Sequence, residues 1–227
     1  NDNTTTTKSY AFYNCTSLNS IELQDSASLI EEYAFSYSNI ETIEIPSKIT
    51  VIEQYLFEFC TNLKSINYKG NITEINRNAF KGCSNLKTIP VQESMTYIGD
   101  EAVRDTRIES FEFPPKVTII QGWVCYHCWS LLHVKIIGNV TRICYSAFSE
   151  NKYLLTINIP DTVTVMEAYA LYNCEQLESI VLPNNVKSFD EYIFSNTSIE
   201  SIVIPALINK LYSRMFKDCK KLVSVTI

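Results

Sequence analysis

The chain has 227 residues, 46% of them apolar and 19% charged, with a formal net charge of −6 and a pI near 5.1. That acidity speaks against nucleic-acid binding through clustered lysines and arginines, and five scattered glycines speak against a phosphate-cradling loop. No apolar run approaches the roughly 18–20 residues that cross a bilayer, so this segment does not itself insert into a membrane.

Residues 1–9 are polar, lack the basic-then-apolar signature of a signal peptide, and read as a flexible N-terminal segment. From Tyr10 onward the chain repeats. Phe12, Phe35, Phe57, Phe80, Val103, Cys125, Phe148, Leu171, Phe194 and Phe216 fall 22 or 23 residues apart without exception. Residues 10–227 are therefore predicted to be a single solenoid of about ten units. Each unit begins with V-T-x-I, a β-branched piece suited to a short strand. Next comes x-x-x-A-F-x-x-C, whose apolar spacing suits one helical or 3₁₀ turn. The unit closes on L-x-x-I-x-I, which alternates like a half-buried strand; Leu63, Ile66 and Tyr68 are one example and Leu177, Ile180 and Leu182 another. Pro46, Pro114, Pro160, Pro183 and Pro205 follow this strand and turn the chain.

Such a unit cannot bury its apolar edge alone, so the units are expected to stack into a mostly β solenoid. One parallel sheet covers one side and a second sheet of short strands another. At about 4.8 Å per strand, ten units make a stack roughly 45–50 Å long. The units of Phe35, Val103 and Phe194 are one residue shorter after the anchor and carry Ser38, Thr106 and Thr197 in place of cysteine, which points to a tighter loop. Pro90, between Ile89 and Val91, is expected to break the ladder locally.

The string V-T-x-I-x-x-x-A-F-x-x-C-x-x-L-x-x-I-x-I-P resembles the BspA-type leucine-rich repeats of bacterial surface proteins and of some parasitic protists, over nearly all of residues 10–227. The resemblance implies a leucine-rich-repeat fold and, more loosely, adhesion or partner binding. It implies no catalytic residue, and no cofactor.

Of eight cysteines, Cys15, Cys60, Cys83, Cys128, Cys174 and Cys219 share one place in the repeat, which reads as a column of small buried residues with free thiols. Cys125, His127, Cys128 and His133 have the spacing of a zinc cluster. Their places in the repeat send them in different directions, so no metal site is expected. With both histidines in one unit, a hydrolytic site is not expected either.

The outward strand residues should line one face. The position before the central isoleucine is Ser or Thr in nine of ten units, whereas the position after it varies. Variation on a fixed scaffold is where specificity can reside. The candidate partner-binding residues are Glu22, Glu44, Asn67, Glu112, His133, Lys135 and Asn158. Aromatic residues recur two positions before the anchor (Tyr10, Tyr33, Tyr55, Trp123, Tyr169, Tyr192) and are expected to cover the core's edge. Residues 1–113 carry a net charge of −7 and residues 114–227 a net +1. Five sequons, at Asn3, Asn14, Asn71, Asn139 and Asn196, stand against about 3.4 expected from composition, and permit glycosylation in a secreted chain.

The chain starts in a partial unit and stops inside a strand, which predicts either a longer array or ends covered by another chain, including homo-oligomerisation through uncapped ends. The expected function is non-catalytic protein–protein recognition by a surface or secreted protein. The alternative is an intracellular scaffold or regulatory subunit.

Overall fold

The structure, a computed structural model, describes residues 5–227. The Asn3 sequon and the first four residues of the expected flexible segment lie outside the described residues. Residues 5–9, expected to belong to that segment, instead open the stack. Thr6 and Thr7 pair with Leu29 and Ile30, and Glu31 accepts hydrogen bonds from Lys8 Nζ (2.7 Å) and the Ser9 amide (2.9 Å).

Short parallel strands build the solenoid. In chain order they are β1 (Thr6–Thr7), β2 (Leu29–Ile30), β3 (Thr42–Ile45), β4 (Val51–Ile52), β5 (Ser65–Tyr68), β6 (Glu74–Ile75), β7 (Tyr97–Ile98), β8 (Ser110–Phe113), β9 (Ile119–Ile120), β10 (His133–Ile136), β11 (Arg142–Ile143), β12 (Thr156–Ile157), β13 (Val165–Met166), β14 (Ser201–Val203) and β15 (Ser224–Thr226). Strands β3, β5, β8, β10, β12, β14 and β15 come from the L-x-x-I-x-I segments and form one side. The remaining strands, each of two residues, come from the V-T-x-I segments and form a second. Each residue pairs with its equivalent one coil away, Thr42 with Ser65 and Ser110 with His133, so each column holds side chains from one place in the repeat. The pleat points Ile43, Ile45, Val134 and Ile136 inward and Thr42, Glu44, His133 and Lys135 outward.

The first side is not continuous. It divides into β3–β5, β8–β10–β12 and β14–β15. The first gap spans Thr88 to Val91, where Pro90 was expected to break the ladder. The second, at Ser179 to Leu182, has neither proline nor glycine within it. Strand β12 itself stops after Ile157 because the Asn158 side chain takes the place of its backbone. Asn158 Oδ1 accepts from the Ile136 amide at 2.8 Å and Nδ2 donates to the Ile136 carbonyl at 2.9 Å.

The third side corrects one expectation. The A-F segment is not a helical or 3₁₀ turn, and no helix occurs among the described residues. Each anchor is flanked by two residues of positive φ, one two positions before and one two positions after it. Tyr55 (φ 58°) and Phe59 (φ 54°) bracket Phe57, and Asn78 (φ 57°) and Gly82 (φ 73°) bracket Phe80. A left-handed residue cannot continue a right-handed helix. The amides alternate instead. Leu56, Glu58 and Cys60 donate three residues back within the turn, whereas Tyr55, Phe57 and Phe59 donate to Arg77, Ala79 and Lys81 of the next coil. Every corner amide in this run is thus satisfied, which offsets the roughly 1 kcal/mol or more that each non-glycine left-handed residue costs. At position 82 a Cβ would stand 2.3 Å from Phe59 Cδ1, so glycine there gives the Phe59 ring its place.

The core is a set of columns. Rings stack along Phe12, Phe35, Phe57 and Phe80 with centroids 5.3, 5.6 and 5.5 Å apart, and Phe194 stacks on Phe216 at 5.6 Å. Where the anchors shrink to Val103 and Cys125, the strand of the Val103 coil enlarges to Phe111 and Phe113. Phe113 then meets Phe148, two coils on, edge to face at 5.9 Å. Volume lost from one column is restored from another.

The cysteine column is more than small filler. All eight cysteines are free. Cys60, Cys83, Cys128 and Cys174 are buried, and their thiols lie 3.0–3.3 Å from the carbonyls of the preceding coil's anchors, Phe35, Phe57, Val103 and Phe148. Thr106 and Thr197 in the same column donate to the anchor of their own coil, at 2.8 and 2.9 Å. Asn151, which stands where its coil lacks a cysteine, does both: Nδ2 donates to Cys125 O at 2.8 Å and to Phe148 O at 2.7 Å. The column supplies these carbonyls with a donor, at Phe35 O and Phe57 O in addition to the turn amides of Ser38 and Cys60. Burial pushes the thiols of Cys60 and Cys144 up to about 11, and raises those of Cys83, Cys125 and Cys174. Thiolate is the reactive form. Burial also keeps reagents from Cys60, Cys83, Cys125, Cys128 and Cys174, so labelling of the native protein is expected to leave these five unmodified, while the denatured chain yields eight thiols. Rapid labelling of those five in the folded protein, or fewer than eight on unfolding, would contradict this arrangement.

Candidate binding face

The pleat sets the candidate residues on one side of the stack and the register sets their neighbours. Glu44 and Asn67 lie opposite one another on β3 and β5, and Glu112 and Lys135 opposite one another on β8 and β10. His133 and Asn158 belong to the second group, and the Pro90 gap separates the two. Glu22 is exposed in the preceding coil, outside any ladder.

Most of these side chains already have partners within the chain. Glu112 pairs with Lys135 Nζ at 3.0 Å, Glu44 lies 3.5 Å from Lys69 Nζ, and Lys69 also pairs with Asp25 at 2.8 Å. His133 Nδ1 lies 2.9 Å from Thr156 Oγ1. Asn158 is engaged at both ends by Ile136, as described above. Exposed ion pairs of this kind are worth about 0–1 kcal/mol, so they can exchange for a partner's charges at little cost. Asn158 is different, because it substitutes for backbone in the ladder.

The same variable column ends in residues not nominated from the sequence. Val181 is 85% exposed and Val203 66%. They border two troughs of about 580 and 450 Å³ that run on either side of the Ser179–Leu182 segment. The face thus changes along its length from carboxylates, through a paired acid and base, to bare aliphatic side chains.

Cys125, His127, Cys128 and His133 are not brought together. Both cysteines point into the core, His127 sits on the corner with Nδ1 2.9 Å from Asp105 Oδ1, and His133 stands on the sheet face. Among the described residues no group of three or more His, Cys, Asp and Glu side chains is placed to hold a metal ion. No helix there is long and apolar enough to cross a membrane.

On the corner, stacked tyrosines cover the core as expected. Tyr10, Tyr33 and Tyr55 are 4.8 and 4.5 Å apart, and Tyr169 and Tyr192 are 4.7 Å apart. Between these runs the column changes to Asn78 and Glu101, and an ion network replaces the rings. Glu101, only 8% exposed, receives Lys81 Nζ at 2.8 Å, Arg104 Nη1 at 3.0 Å and Arg77 Nη2 at 3.6 Å. Burial pushes its carboxyl up, but Lys81 and then Arg104 outweigh that and hold it below its ordinary value of 4.5. A depressed native value contributes stability above the unfolded value, and that stability is lost as pH falls through the folded one. Urea midpoints are therefore expected to drop on acidification below about pH 4.5, and to drop less in Glu101→Gln. Equal acid sensitivity in both proteins would remove Glu101 from the account. At Glu58 burial prevails, and the carboxyl is raised despite Lys81 and Asn78.

Comparison with known proteins agrees with this geometry. The sequence profile described as the BspA type leucine-rich repeat region matches residues 1–108 and 96–223, in six copies. A search of curated proteins finds no match. Among solved structures, the chain is similar to a leucine-rich repeat protein from Bacteroides ovatus, with 28% identity, a TM-score of 0.79, and coverage of 83% of this chain and 49% of that one. It is similar in fold to a leucine rich cell surface protein from Faecalibacterium prausnitzii, with 23% identity, a TM-score of 0.66, and coverage of 88% and 65%. It also resembles in fold the pneumococcal vaccine antigen PcpA, with 21% identity, a TM-score of 0.62, and coverage of 88% and 60%. The chain thus spans about half the length of the first of these structures and less than two thirds of the other two. With ten in-register coils, two parallel strand sides and a profile match over most of its length, the chain belongs to the BspA-type leucine-rich-repeat family.

Proposed function

We propose that this chain is a non-catalytic module that binds a protein partner on its sheet face, as part of a surface or secreted protein. The observation that carries the reading is the variable column. On a scaffold whose inward columns and Ser/Thr column barely change, it runs from Glu22 and Glu44 through Glu112–Lys135 to exposed Val181 and Val203. Aliphatic side chains that stand out from a sheet beside troughs are a feature of surfaces that bind partners. Shallow concave sheets with few convergent polar groups suit extended protein surfaces better than small substrates. The family membership supports a binding role, and the similarity in fold to the Faecalibacterium cell surface protein supports the compartment.

The test is comparative capture from a biotinylated cell-surface extract. The reading expects a partner held by the wild type and by Lys48→Glu, which lies off the face. That partner should be released by Val181→Asp with Val203→Asp, or by charge reversal of Glu22, Glu44 and Glu112. Retention unchanged by both sets of sheet-face variants would overturn it.

A further inference from the structure

A pocket of about 260 Å³ lies between the sixth and seventh coils, away from every strand. It is lined by His127, Cys128, Trp129, Glu150, Lys152 and Tyr153. We propose that it binds a single pyranose ring of a carbohydrate, a role that goes beyond protein recognition by the sheet face.

The rings that wall it are not part of the core. Trp129 is 50% exposed and Tyr153 52%. Four residues after the anchor, where Trp129 stands, other coils carry Thr16, Thr61 or Ser84. Five residues after it, where Tyr153 stands, they carry Ser17, Asn62 or Asn85. Packing therefore does not demand aromatics at these places. The supporting groups are fixed from behind. His127 is tied to Asp105 through Nδ1 at 2.9 Å, and Asp105 is held by Arg104 Nε at 3.1 Å. That bond leaves Nε2 of the neutral ring as an acceptor. The imidazole ring lies 4.0 Å from the Trp129 ring and holds it in place. Glu150 Oε2 accepts from Asn173 Nδ2 at 2.7 Å, which orients the carboxylate and leaves Oε1 to bond elsewhere.

Charge and size then select the ligand. Lys152 Nζ is paired with Glu175 Oε1 at 3.3 Å, so that pair cancels itself and Glu150 is the carboxylate that faces the pocket. An anion would meet Glu150, and with Oε2 taken by Asn173 the other oxygen is left for a hydroxyl donor. An aliphatic side chain would leave polar atoms of His127 and Glu150 without partners, which is costly on burial. A pyranose answers each condition: it is neutral, it carries an apolar C–H face for the aromatic walls, and its rim of hydroxyls both donates and accepts. The volume suits one ring rather than the drug-sized ligands that fill roughly 300–1,000 Å³.

The test is ligand-observed saturation-transfer NMR on the full chain, with the methyl glycosides of glucose, galactose, mannose and N-acetylglucosamine as probes. Saturable binding of at least one is expected, with Kd of about 1 mM, the range of weak single-ring ligands. Trp129→Ala and Tyr153→Ala should each weaken it about tenfold or more, since a stacked ring supplies both area and specific contact. Trp129→Phe should retain most of it, and Lys48→Glu, several coils away from the pocket, should leave it unchanged. Circular dichroism of each variant confirms that the coils remain stacked. No saturable binding by any of the four, binding indifferent to Trp129→Ala, or tighter binding of tetramethylammonium or acetate would overturn the proposal.

Discussion

Phe57→Ala is expected to lower the free energy of unfolding by about 3–5 kcal/mol, the cost of removing a buried ring that its surroundings cannot refill. Phe57 is fully buried and stacks on Phe35 and Phe80 at 5.6 and 5.5 Å. Its backbone amide also carries the corner into the next coil, through the Ala79 carbonyl at 2.9 Å. Each coil in a solenoid touches only its neighbours, so the lost contacts fall on one interface and weaken the coupling between the two halves of the stack. Urea denaturation should therefore show both a lower midpoint and a broader transition. Phe12→Ala supplies the control: Phe12 is only half-buried and has a ring neighbour on one face alone within its column, so its loss should be clearly smaller. Equal losses at the two positions would mean that the column is not the source of the stability.

Asn151→Leu should cost about 3 kcal/mol, although leucine is more apolar and has the same branched shape. The fully buried Asn151 donates to Cys125 O and Phe148 O and accepts from the Cys128 amide at 2.9 Å. Leucine leaves Cys125 O and the Cys128 amide without partners and Phe148 O with only the Cys174 thiol at 3.3 Å, at about 1–3 kcal/mol for each buried group that remains unpaired. Asn151→Cys should lose less, because a thiol at this place can donate to Cys125 O as Cys60 does to Phe35 O. A leucine variant as stable as the wild type would show that the column is apolar filler, as the cysteines alone suggest from sequence.

What could be read from the sequence follows from which features repeat. The period, the inward Phe and Ile columns, the two strand sides and the Pro90 gap are all visible in residue type and spacing. The corner was not. Tyr33, Glu101, Trp123 and Arg214 all take positive φ, yet none is a residue type that signals the left-handed region. It is the alternation of amides between turn and next coil that imposes the conformation, and that is a property of stacking. The donor role of the cysteine column was hidden for a similar reason. It becomes evident only when Ser38, Thr106, Asn151 and Thr197 are seen to bond to cysteine sulfur, to backbone, or to both, from the same place.

On the candidate face, Glu44, Asn67, Glu112, His133 and Lys135 point outward as alternation requires. Alternation said nothing of Asn158 folding back on Ile136, which depends on β12 ending early. The gap at Ser179 to Leu182, with Val181 standing free beside it, has no marker in a segment whose residues fit the repeat. The Trp129–Tyr153 pocket was equally hidden, because its two rings occupy different places in successive units and each occurs once.

The central claim is that one coil lies on the next and that corner amides carry the stack. Hydrogen exchange of the anchor amides measures this directly. Phe35, Phe57, Phe80, Val103, Cys125, Phe148 and Leu171 donate at 2.9–3.1 Å to the residue before the anchor of the following coil. These amides should exchange only through global unfolding, as slowly as the most protected positions in the chain. Exchange of these interior anchors at the rate of the amides of exposed turn residues such as Lys48 or Lys116 would contradict the stacked-coil account.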